Sequence, residues 1–262
     1  MDLGLDGRVC VVTGASRGIG LATARLLADE GASVLMVARG AEALERAAED
    51  CGDGAEALPA DVTEPGAADR IVRACVDGFG RIDALVNNAG TTRAVALDDL
   101  TDDDWQQQWE LHVMAPMHLM HSAAPRMAEA GWGRIVNVCS SSGKRPSLRN
   151  MAYSVTKSAQ LSLSRAFADA FAARGVLVNA IAPGVVGTPL WTEEGGMADQ
   201  VAAAEGTDRE QVLAALDAKV PIGRIGTEEE IAAVIAFLCS ERASNVAGAA
   251  WSVDGGSVPT IV

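Results

Sequence analysis

Lysine and tyrosine are nearly absent from this chain. Of 262 residues, three are lysine (Lys144, Lys157, Lys219) and one, Tyr153, is tyrosine. There is no apolar run of 18 residues, so no segment is expected to span a membrane. Met1–Asp6 has neither the basic start nor the apolar stretch of a signal peptide. The five cysteines, at 10, 51, 75, 139 and 239, are odd in number and scattered, with no C-x-x-C pair. They read as small thiols in a reducing cytoplasm, not as a disulfide frame or a metal site. Basic charge is scarce too: the formal net charge of −14 argues against nucleic acid or an anionic membrane as partner.

What remains is concentrated. The lone tyrosine stands four residues before one of the three lysines, as Tyr153-Ser154-Val155-Thr156-Lys157. On a helix, positions four apart share a face, so the ammonium can lie beside the phenol. A nearby positive charge is expected to pull the phenol pKa down from its usual value of about 10, toward working pH. Such a phenol can pass a proton to or from a substrate oxygen. A half-buried aromatic beside a solvated lysine would give the same spacing.

Two further segments favour the chemical reading. Residues 8–13 form a short β-branched run, followed by Gly14-Ala15-Ser16-Arg17-Gly18-Ile19-Gly20. A strand, a tight glycine turn and a helix N-terminus together make a site for a pyrophosphate. Ile135-Val136-Asn137-Val138-Cys139-Ser140 is a second apolar strand, ending in a hydroxyl where open α/β sheets place their ligands.

With Asp61-Val62, Asn87-Asn88-Ala89-Gly90, Asn179 and Pro183-Gly184, these segments make the chain similar to the classical short-chain dehydrogenase/reductases over nearly its whole length. Members similar to 3-oxoacyl-carrier-protein reductases share Asn88–Arg93 and Ala173-Arg174-Gly175. The resemblance implies a nicotinamide cofactor and reversible reduction of a carbonyl to an alcohol. It implies that Ser140, Tyr153 and Lys157 are catalytic, the lysine also gripping the nicotinamide ribose. Ser141 and Ser142 are alternatives to Ser140, which is preferred because its distance from the tyrosine matches the family's. Asp61 is expected to meet the adenine beside Val62, and Asn87, Ala89 and Gly90 to line the adenosine ribose. Pro183, Gly184, Val186 and Thr188 are expected near the nicotinamide carboxamide. The family commonly forms dimers or tetramers, so a homo-oligomer is expected, and the apolar tail Val258–Val262 suits cover by a neighbouring subunit.

Strand signals fall at 8–13, 33–37, 55–60, 82–87, 133–139, 176–181 and 247–252. Helix signals lie between them, near 18–30, 41–51, 64–79, 102–130, 152–174 and 227–239. The alternation predicts an α/β fold: a single Rossmann-like domain over 1–262 whose doubly wound parallel sheet of about seven strands carries helices on both faces. The stretch 184–221 is read as irregular except for a short helix over Asp208–Lys219, and as a substrate lid.

Cofactor choice turns on the end of the second strand, Ala38-Arg39. An acidic residue there would bond a ribose 2′-hydroxyl and repel a 2′-phosphate. Arg39, with Arg17 in the glycine turn, instead suits the phosphate of NADP(H). If Arg39 stacks on adenine or faces solvent, NAD(H) is acceptable as well.

One position departs from the family. Seven residues after Trp105, where an asparagine usually helps to hold a water next to the lysine, stands His112. Like charge from Lys157 is expected to keep it neutral, so that it either relays through water or is a tolerated substitution. Pro116 is expected to keep the helix bent. His118 and His121 lack a third ligand and are not read as a metal site. Candidate substrate-pocket residues are Ser142, Met151, Val185, Trp191 and Met197, a largely apolar set. Lys144 and Arg145 either meet an anionic substrate or stay solvated. Three functions are compatible with the chain: an NADP(H)-dependent carbonyl reductase or alcohol dehydrogenase acting on a small molecule, a specific 3-oxoacyl thioester reductase, and a cofactor-sensing protein with little turnover.

Overall fold

Short β-branched runs become strands and the alanine-rich segments between them become helices. The computed structural model describes residues 2–92 and 94–259; Arg93 and Thr260–Val262, named above, lie outside the described residues. In chain order the elements are β1 (Val9–Thr13), α1 (Gly18–Asp29), β2 (Ser33–Ala38), α2 (Ala41–Cys51), β3 (Ala55–Pro59), α3 (Ala67–Phe79) and β4 (Ala84–Asn87). Then come α4 (Asp102–Trp109), a π turn (Glu110–Met114), α5 (Ala115–Glu129), β5 (Gly133–Val138), α6 (Ser141–Lys144), α7 (Met151–Phe171) and β6 (Val176–Pro183). The chain closes with α8 (Pro189–Thr192), α9 (Met197–Glu205), α10 (Arg209–Lys219), α11 (Glu228–Cys239) and β7 (Ala250–Val253).

All seven strands are parallel, in the order β3-β2-β1-β4-β5-β6-β7. The chain winds outward from β1 to β3, then returns to β4 on the other side of β1. That reversal opens a crevice at the carboxyl ends of β1 and β4, where this architecture binds ligands. Alternate residues of each strand enter opposite layers. Cys10, Val12, Val34 and Met36 pack with α1 and α11. Val9, Val11, Leu35 and Val37 pack with α3 and α5. Each fully buried Leu or Ile in these layers contributes about 1.5–3 kcal/mol.

Two segments differ from expectation. The helix expected over 102–130 is broken by the π turn. Pro116 has no N–H to donate to the His112 carbonyl, so the helical ladder loosens one turn before it. The stretch after β6 is more regular than its composition suggested, containing α8 and α9 as well as α10.

Candidate active site

The glycine turn is built from backbone packed too closely for side chains. Gly14 takes φ +66°, where L side chains are strained, and a Cβ on it would come within 2.9 Å of the Ala89 Cα. A Cβ on Gly20 would lie 2.2 Å from the Gly14 carbonyl oxygen and 2.5 Å from Asn88 Nδ2. Asn88 clamps the turn: its side-chain amide donates to the carbonyls of Thr13 (2.9 Å) and Gly14 (3.2 Å). The Thr13 hydroxyl accepts the N–H groups of Asn88 and Ala89, each at 3.0 Å. α1 begins at this turn without a side-chain cap, so its first N–H groups face the crevice.

The crevice is a continuous cleft of about 1000 Å³. Gly14, Ser16, Arg17, Gly18 and Ile19 line one end with Arg39, Asp61 and Val62. Ala89, Gly90, Ser140, Tyr153, Lys157, Pro183, Gly184, Val186 and Thr188 line the rest. Of the expected substrate residues, Ser142, Val185 and Trp191 line it too.

Several expected site residues stand elsewhere. Asn87 does not reach the cleft. It is the last residue of β4, buried, and donates from Nδ2 to Asn137 Oδ1 on β5 at 2.8 Å. Asn88, one residue on, takes the cleft-facing position because strand side chains alternate. Gly20 is not among the lining residues and packs closely behind the turn. Met151 does not line the cleft, and Met197 is buried against the helices after β6. Lys144 donates to the Ala250 carbonyl (2.6 Å) and the Ser252 hydroxyl (3.0 Å), tying α6 to β7 instead of facing a substrate. Arg145 is not among the lining residues, and no group of metal-ligating residues occurs among those described. Asn88, Gln106–Gln108 and Asn150 line the cleft without having been assigned a site role from the sequence. Only Asn88 carried a signal, its place within Asn87-Asn88-Ala89-Gly90.

The corner where β5 meets α7 is made of buried and half-buried side chains. Ser140 follows β5 in extended backbone, 8% exposed, and its Oγ accepts the Ser142 N–H at 3.1 Å. Tyr153 and Lys157 lie one helical turn apart on α7, with the ammonium 5.7 Å from the phenol ring centroid. Lys157 is 2% exposed and donates to the Val138 carbonyl and to Gln160 Oε1, each at 2.9 Å.

The charge balance here corrects the sequence reading. Tyr153 is not acidified: burial pushes its phenol up to about 12, although a hydrogen bond with Ser140 pulls the other way. The ring as a whole is half-buried, but its surroundings withhold enough water from the phenol for desolvation to dominate. The ammonium is turned toward two carbonyl oxygens and is itself pushed down to about 8 by burial.

His112 behaves as its surroundings dictate. It is fully buried, and burial followed by the Lys157 charge holds it well below the usual histidine range. Its Nε2 accepts the Thr91 N–H at 3.3 Å, which places the proton on Nδ1, 3.1 Å from the Thr156 hydroxyl. That hydroxyl in turn donates to the Tyr153 carbonyl at 2.9 Å. The imidazole meets the Tyr153 ring edge-on, with centroids 5.2 Å apart. Both ring nitrogens are therefore committed to the protein.

At the other end, the two arginines differ. Arg17 is paired with Glu193 at 2.7 Å, on the segment after β6. Arg39 is 80% exposed and meets a carboxylate, Asp61, only at 4.0 Å. Burial would raise the Asp61 carboxyl, but hydrogen bonds from Thr63, helped by Arg39, hold it below its ordinary value. The cleft fits a dinucleotide. It has a glycine turn packed too closely for side chains, a helix N-terminus without a side-chain cap, and a guanidinium with room for a further anion.

Comparison with known proteins agrees with this geometry. A family model described as enoyl-(acyl carrier protein) reductase matches residues 14–258. The chain is 40% identical over 252 residues to cis-4-hydroxycyclohexanecarboxylate dehydrogenase of Sinomonas cyclohexanicum, covering 95% of this chain and 96% of the relative. It is 34% identical over 254 residues to a 3-oxoacyl-acyl-carrier-protein reductase of Vibrio cholerae, covering 97% and 98%. The crystal structure of L-sorbose reductase from Gluconobacter frateurii, complexed with NADPH and L-sorbose, superposes with a TM-score of 0.93 at 36% identity over 100% of both chains. The chain belongs to the short-chain dehydrogenase/reductase family, oxidoreductases that act on carbonyl and alcohol groups.

Proposed function

We propose that the protein is an NADP(H)-dependent carbonyl reductase, working reversibly as a secondary-alcohol dehydrogenase on a small molecule. The observation that carries this reading is the meeting of Ser140, Tyr153 and Lys157 in the same cleft as the glycine turn and Arg39. A protein that only senses the cofactor has no need of these three side chains together.

When bound, the nicotinamide cofactor supplies or accepts the hydride. Gly14–Ile19 and the start of α1 would hold its pyrophosphate, and Arg39 would take the 2′-phosphate, joined by Arg17 if Glu193 releases it. Asp61 and Val62 would flank the adenine, and Val186 and Thr188 would hold the carboxamide. In the reducing direction Tyr153 must carry its proton, and its raised pKa ensures that it does near neutral pH. It donates to the carbonyl oxygen, which the Ser140 hydroxyl also bonds and holds in position. Lys157 keeps a positive charge beside the oxygen where negative charge develops, and its remaining N–H would be free to hold the cofactor ribose. His112 supports Tyr153 and Thr156 and is not a proton relay.

Residues 184–221 act as a lid within one functional domain. Its Val185 and Trp191 line the cleft, and Glu193 clasps Arg17. Exposed Trp109 on α4 and Val155 on α7, with Trp251 at the sheet edge, support a homo-oligomer. Five free thiols suit a reducing cytoplasm.

NADPH and NADH oxidation across simple ketones, sugars and 3-oxoacyl thioesters tests the reading. Turnover with NADPH on ketones or sugars is the expected result. Activity confined to 3-oxoacyl thioesters would identify a specific thioester reductase, and cofactor binding with no turnover would identify a sensor.

A further inference from the structure

Lys157 is an ammonium buried without a carboxylate. Among the described residues, the titratable groups facing it are Tyr153 on its own helix, Cys139 at the end of β5, and His112 on the π turn. All three are neutral near pH 7: phenol and thiol are each pushed up to about 12 by burial, and the imidazole is pushed down. An isolated buried charge is costly, and such a lysine tends to lose its proton. Against this loss stand the neighbouring Cys139 side chain and, in the geometry, a pair of carbonyl oxygens at 2.9 Å, from Val138 and Gln160. The Val138 oxygen is backbone and would be there with any residue. The Gln160 amide is a property of this sequence.

Position 160 is on a buried helix face. It lies one turn beyond Thr156, with Ser164 and Ala168 below it, on the α7 face buried in the molecule, and is 1% exposed. Burying an amide there is unfavourable unless it is hydrogen-bonded. Its backbone is fixed as well: the Gln160 carbonyl accepts the Ser164 hydroxyl at 2.8 Å, and that oxygen accepts from Asn137 on β5 at 2.8 Å. His112 cannot take over the task, because both of its ring nitrogens are engaged by Thr91 and Thr156.

We propose that Gln160 is the positioning residue for Lys157, its amide oxygen holding the ammonium charged and aimed along the floor of the cleft. The proposal rests on the reading of Lys157 as catalytic, but the contact can be tested apart from activity. With only three lysines in the chain, ¹³Cε-lysine labelling gives three signals, and Lys144→Arg and Lys219→Arg assign the third by elimination. In the unaltered protein the Lys157 signal is expected to titrate near 8.

Gln160→Met keeps the length and removes the acceptor. The Lys157 midpoint should fall by about one pH unit, a tenfold drop in the charged-to-neutral ratio at a given pH. The alkaline limb of the kcat profile should move down with it, while KM for the carbonyl substrate changes by less than about twofold. Gln160→Glu restores an acceptor and should raise the midpoint and recover the limb. An unmoved Lys157 midpoint in folded Gln160→Met would overturn the proposal. Should that variant fail to fold, an unmoved midpoint in Gln160→Glu overturns it equally. If the unaltered protein reduces no carbonyl at all, the functional reading fails while the titration still decides the contact.

Discussion

The two ends of the cleft are built on opposite principles. The β1–α1 turn is backbone against backbone, with Gly20 set so close to Gly14 that no Cβ fits. The β5–α7 corner is side chain against side chain, with Ser140, Lys157, Gln160 and His112 all buried. The first end excludes atoms to admit a phosphate. The second excludes water to set which groups carry protons. Substitutions at the first should therefore act through shape and affinity, and at the second through pH and turnover.

The largest expected effect short of Ser140, Tyr153 and Lys157 tests the shape argument. Gly20→Ala places a methyl 2.2 Å from the Gly14 oxygen, so the turn or the helix must shift. Overpacking of this kind costs about 1–3 kcal/mol of stability, and NADPH affinity should fall by about a hundredfold. Thermal unfolding and fluorescence titration check both, and unchanged binding would show that the close packing is not what forms the site. Next is Arg39→Ala. Loss of an exposed charge-assisted bond should weaken NADPH binding about tenfold and leave NADH within about twofold. Equal losses for both cofactors would mean that Arg39 stacks on adenine rather than reading the phosphate.

His112→Asn sharpens the contrast from the other end, with the smallest effect. The native His112 pKa lies well below the unfolded value of about 6.5, so the unfolded chain binds the extra proton first. Its contribution to stability is complete above that value and is lost as pH falls toward the native pKa, by about 1.4 kcal/mol per pH unit. Denaturation between pH 7.5 and 5.5 should thus show a shallower loss in His112→Asn than in the unaltered protein. The acid limb of kcat should not move, since the imidazole is neutral throughout. A shifted acid limb would restore His112 to the proton path.

The same contrast explains what the sequence made legible. The glycine turn, the alternating strands and helices, and the Tyr153–Lys157 spacing are local patterns, and the structure matches them. Burial is not local. The direction of the Tyr153 shift depends on how much water the packed corner admits, which spacing does not encode. Gln160 reads as one more polar residue on a helix until α7 is seen to turn that face inward. Asn87 and Asn88 look interchangeable, and only the end of the β4 pleat decides which one faces the cleft. Of the helices after β6, α8 and α9 escaped notice because α8 is a single turn and α9 is short and alanine-rich, so neither carries a strong apolar stripe.

The central claim is that Tyr153, held protonated by burial, supplies the proton to the reduced carbonyl. Tyr153→Phe keeps the ring against His112 and removes only the hydroxyl. NADPH titration and single-turnover reduction of a ketone accepted by the unaltered protein, carried out side by side, test this most directly. The account predicts NADPH affinity within about threefold and a rate lower by about 10²–10⁴. A rate within about threefold of the unaltered protein would contradict it.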